Sequence, residues 1–103
     1  QLSTLARDKL KSKMLNLNNL HLQLANLNED EANLLSQEIS MKQMLDYAML
    51  DMDADNNYEL EQQYRQIVSR LSEIKVQKME IERKIKFIAQ NSRSEVTGLV
   101  KQH

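Results

Sequence analysis

The stretch Asp51-Met52-Asp53-Ala54-Asp55-Asn56-Asn57 decides how the rest of the chain is read. Its carboxylates and amides compete for backbone hydrogen bonds and Asn tolerates the left-handed region, so the run predicts a chain reversal over about 52–56. Asn56 followed by Glu59 has the spacing of a capping box, with Asn in the hydroxyl position. That spacing predicts a second helix starting at about 57.

Before the run, Ser3 or Thr4 can cap a first helix. Apolar residues then recur at three- and four-residue steps through Leu10, Met14, Leu17, Leu20, Leu24, Leu27, Leu34, Met41, Leu45 and Ala48. This predicts one helix over about 4–51. After the run, Leu60, Tyr64, Ile67, Leu71, Ile74, Lys78, Ile81, Ile85 and Ile88 fall alternately on the d and a positions of a heptad. The second helix is expected over about 57–92, with a polar tail over about 93–103 in which Gly98 offers a C-cap.

The two frames do not join. Extending the first puts an a position at Met52, whereas the second needs one at Asn57, and that offset of about five residues is neither a stutter nor a stammer. The fold expected is all-α: one domain over 1–103, a long antiparallel helical hairpin of coiled-coil type that self-associates into a helical bundle. Reversal about Asn56 would pair Leu24 with Ile88, Leu27 with Ile85, Leu34 with Lys78, Met41 with Leu71, Leu45 with Ile67 and Ala48 with Tyr64. The hairpin core is thus expected at Leu24, Leu27, Leu34, Met41, Leu45, Tyr64, Ile67, Leu71, Ile74, Ile81, Ile85 and Ile88. Lys78, Glu31 and Glu38 occupy core positions as charged residues, an arrangement expected to set register.

Composition agrees with helices and restricts function. The 103 residues include no Pro and one Gly, too little punctuation for the loops of a β or α/β chain. The absence of Cys leaves no disulfide, thiolate nucleophile or ordinary zinc site. Fourteen basic against fifteen acidic residues give a net charge of -1, too balanced for a nucleic-acid footprint. No apolar run approaches the roughly 20 residues of a membrane span. A soluble protein is expected, cytoplasmic or exported without a recognisable signal peptide.

Candidate chemistry is sparse. His21 lies within the first helix and His103 at the end of the chain, and neither has triad partners in view. Asp51, Asp53 and Asp55 take the first three ligand positions of an EF-hand loop, with Glu59 at the ninth. The sixth position is Asn56 instead of Gly and the twelfth is Gln62 instead of Glu, so a calcium-responsive hairpin is the alternative expectation and no cofactor is the first. Leu15, Leu22 and Met44 lie off the main stripe and predict a second contact surface for protein, either another copy or a helical partner. Charge is also uneven: Asp46, Asp51, Asp53, Asp55, Glu59 and Glu61 gather at the reversal, while Arg7, Lys9, Lys11, Lys13, Arg93 and Lys101 gather toward the two chain ends.

In size, lack of Cys and central turn, the chain resembles the small helical-hairpin proteins of bacterial export machines, both the Trp-x-Gly type and the coiled-coil stalk and chaperone proteins of type III secretion. The resemblance implies an exported substrate, a chaperone or an adaptor. It is architectural: the chain has no Trp, hence no Trp-x-Gly turn, and no functional residue carries over. The function expected is a non-enzymatic structural or adaptor module.

Overall fold

The structure is a computed structural model that describes residues 3–50 and 54–101, with side chains over 3–50 and 57–91. It is an all-α helical hairpin of two helices, α1 over Thr4–Leu50 and α2 over Ala54–Lys101. Ser3 caps α1: the Ala6 amide donates to Ser3 Oγ at 3.2 Å and the Arg7 amide to the Ser3 carbonyl at 3.1 Å. One otherwise orphaned donor of the first turn is thereby satisfied by the hydroxyl.

The chain divides into two compact units, each built from both helices. Unit one joins residues 1–26 to 78–103, and unit two is the continuous stretch 27–77. In both, the less exposed positions follow an alternation of three- and four-residue steps. Along α1 they are Ala6, Leu10, Lys13, Leu17, Leu20, Leu24, Leu27, Glu31, Leu34, Glu38, Met41, Leu45 and Ala48. Along α2 the same alternation runs from Asn57 and Leu60 through Tyr64, Ile67, Leu71, Ile74, Lys78, Ile81 and Ile85 to Ile88. A spacing that averages 3.5 residues keeps one stripe of each helix facing its neighbour. All twelve residues expected in the core lie on this stripe, yet among the described residues Ile74 and Ile81 alone are buried.

Four sequence expectations are corrected. First, α2 begins at Ala54 instead of 57, and Ala is the strongest helix former. Asn56 is therefore a helical residue and not the cap of a box with Glu59. Second, α2 continues to Lys101, so the expected polar tail is helix. Gly98 has no positive φ and does not end it; a Gly in a helix costs about 1 kcal/mol relative to Ala, which the surrounding Pro-free sequence absorbs.

Third, the stripe passes through Lys13 and not Met14, which is exposed. Leu10 to Lys13 to Leu17 preserves the order of the steps, whereas Leu10 to Met14 to Leu17 inverts it, and the Lys stem can line the stripe while its ammonium reaches water. Fourth, the register expected from a reversal about Asn56 is not the one the units favour. The helices are separated by 51–53, residues outside the described ones. The units divide α1 between 26 and 27 and α2 between 77 and 78, which suits a register one heptad step of seven lower, in which Leu34 would face Leu71, Met41 Tyr64 and Leu45 Leu60 in unit two, and Leu24 Ile81 in unit one. In agreement, Ile67 shares a groove with Asn33, Ser36, Gln37, Ser40, Met41 and Met44, short of its expected partner Leu45.

Candidate functional site: the outer face of the first helix

α1 and α2 use their apolar residues differently. α2 keeps its isoleucines on the seam, and both buried residues are among them, while its Tyr58, Val68, Val76, Met79 and Phe87 are exposed; α1 has no buried residue. The apolar residues that α1 withholds from the seam are exposed: Leu15 at 63%, Leu22 at 62%, Leu35 at 45% and Ile39 at 61%. In the heptad frame fixed by the seam, Leu15 and Leu22 occupy f, Leu35 occupies e, and Ile39 occupies b with Ala25 and Ala32. Positions e, b and f are neighbours on the helical wheel, so Leu15, Leu22 and Ala25 lie beside and behind the seam within unit one, and Ala32, Leu35 and Ile39 do so within unit two.

Leu15 and Leu22 are therefore found where the sequence reading puts them, exposed and seven residues apart on one line. Met44, grouped with them from the sequence, stands at g, on the other flank of the seam. It lines the shallow groove with Ile67 and the polar side chains of α1. Distance from the stripe alone does not separate its two flanks, and Met44 lies on the other one from Leu15 and Leu22. Leu35 and Ile39 were missed for the complementary reason: their signal appears once e and b are separated from g.

The polar candidates also find places. Glu31 and Glu38 are half-buried on the seam in unit two, and Lys78 is half-buried on the seam in unit one. Lys13, Glu31 and Lys78 each engage an interaction of their own. Asn57, at the first a position of α2, has a buried Oδ1 that accepts no hydrogen bond. An orphaned buried acceptor costs about 1–3 kcal/mol, so this end of the seam is its weakest layer.

Of the calcium candidates, Asp51 and Asp53 lie outside the described residues, while Asp55 and Glu59 belong to α2. An EF-hand sets its ligands at alternate positions of a loop, whereas from Ala54 onward this stretch is helix. Among the described residues no three His, Asp or Glu side chains gather as a metal site. His21 is exposed on α1, and His103 lies outside the described residues.

Polar interactions add little. The Arg70 guanidinium donates to Glu73 Oε2 at 3.1 Å between exposed side chains, a pair of at most modest benefit. Ser72 Oγ donates to the Val68 carbonyl one turn back at 3.2 Å. No described helix is long and apolar enough to cross a membrane. The chain matches no protein-family model, no curated protein and no solved structure.

Proposed function

We propose that this chain is a non-enzymatic protein-protein interaction module of coiled-coil type, which works by packing its helices against further helices and first of all against copies of itself. One observation carries the reading: two apolar side chains are buried, while fifteen large ones among the described residues remain exposed. Scattered exposed apolar residues are ordinary, but α1 sets Leu15 and Leu22 beside and behind the seam in unit one and Leu35 and Ile39 in unit two, surface that water disfavours.

Sedimentation equilibrium over a wide concentration range tests this. The expected result is an assembly whose mass is a multiple of 12.1 kDa, dissociating on dilution. A single-copy mass at every concentration contradicts self-association.

A further inference from the structure

Unit one carries ten Lys or Arg against four Asp or Glu, and unit two carries four against eleven. The overall charge of unit two therefore repels a second copy of itself. One flank of it escapes this. Where two antiparallel helices share a seam, the e and b positions of one lie beside the e and b positions of the other. In unit two this flank receives Lys42, Arg65 and Lys75, three of the four basic residues, while of the acidic ones α1 and α2 place only Asp46 and Glu61 there. The same flank holds Ala32, Leu35 and Ile39 of α1 and Val68 of α2, and Leu35, Ile39 and Val68 are exposed. It is an apolar strip of nearly balanced charge on a unit that is otherwise acidic.

Both helices of this flank are complementary to themselves when reversed. Along α2 the e line reads Glu61, Val68, Lys75, so a two-fold axis at Val68 sets valine against valine and Glu61 against the second copy's Lys75. Along α1 an axis at Gln37 sets Leu35 against the second copy's Ile39 and Ala32 against the stem of its Lys42. Asn28 then meets the second copy's Asp46, a carboxylate to which its amide can donate. One centre comes from α2 alone and the other from α1 alone. The register that sets Leu34 opposite Leu71 brings them to one level, three residues on along α1 and three back along α2. Met49 and Tyr58, at the end of the flank, lie beyond the stretch paired in this way. The alternative two-fold, which lays α1 over the second copy's α2, brings Arg65 beside Lys42 and loses the pairing of Lys75 with Glu61.

We infer that unit two makes an isologous contact with unit two of a second copy through this flank, α1 against α1 and α2 against α2, each pair antiparallel. This rests on the self-association proposed above and names one of its surfaces, with its orientation and its charge pairs.

The sequence contains no Cys, so engineered ones report geometry directly. Val68→Cys lies on the axis and is expected to link two copies under mild oxidation, whereas Val76→Cys, exposed at f on the back of α2, is not. Glu61→Lys and Lys75→Glu should each weaken self-association several-fold in sedimentation, since each sets like charge against like twice in the dimer. An equimolar mixture of the two chains should associate as the parent does, because every Lys then meets a Glu. One chain carrying both changes should do so as well.

Copies that associate while Val68→Cys stays unlinked, or while Val76→Cys links as readily, overturn the inference and leave the interaction module standing. So does a mixture of the two charge variants, helical by circular dichroism, that associates no more tightly than either alone. A chain that stays single at every concentration removes both.

Discussion

The two helices are of nearly equal length, 47 and 48 residues, and contribute unequally to the hairpin. α2 commits its isoleucines to one stripe, so Ile74 is fully covered and Ile81 nearly so. α1 divides its leucines and methionines between the stripe and an outer face, and none of its residues is buried. Two helices alone can cover one stripe each, so the hairpin leaves the outer apolar residues of α1 exposed. On the function proposed above, α2 holds the hairpin and α1 meets what lies outside it.

Substitution on each helix should expose this division. Ile74→Ala opens a cavity in the covered stripe and is expected to cost about 2–5 kcal/mol, lowering the urea midpoint at every protein concentration. Leu22→Ala, on the outer face, should leave a chain diluted to single copies within about 0.5 kcal/mol of the parent while loosening the assembly. Equal losses from the two in single copies would erase the distinction between the helices.

A smaller effect examines the far end of α2. With Gly98 in helical backbone, Gly98→Ala should add helicity and gain up to about 1 kcal/mol, seen by circular dichroism as a raised melting temperature. A Gly acting as a left-handed cap would respond with the opposite sign.

Much of this was legible in the sequence. Leu and Ile at alternating steps define the stripe because that periodicity is imposed by helix geometry and read without knowing a neighbour. The start of α2 was set too late in the sequence, because Asp and Asn serve equally in a turn and in the first turn of a helix. Met14 was preferred to Lys13 because apolar identity was weighed above the order of the steps. Glu31, Glu38 and Lys78 were recognised on the stripe since their positions, not their chemistry, place them there. The opposition of charge between the units was legible only as two clusters, because its full size requires knowing which stretches of the two helices pack together.

The central claim is that α1 and α2 pack together in one register within each compact unit. Disulfide trapping within a single copy tests it most directly, because a bridge needs Cα atoms within about 7 Å, and a slip of seven residues moves a helical position by about 10 Å. The chain carrying Leu34→Cys and Leu71→Cys should close an intramolecular disulfide readily at high dilution, and the chain carrying Met41→Cys and Leu71→Cys should not. Closure of the second pair and not the first would contradict the register, and bridges that form solely between copies would contradict the hairpin.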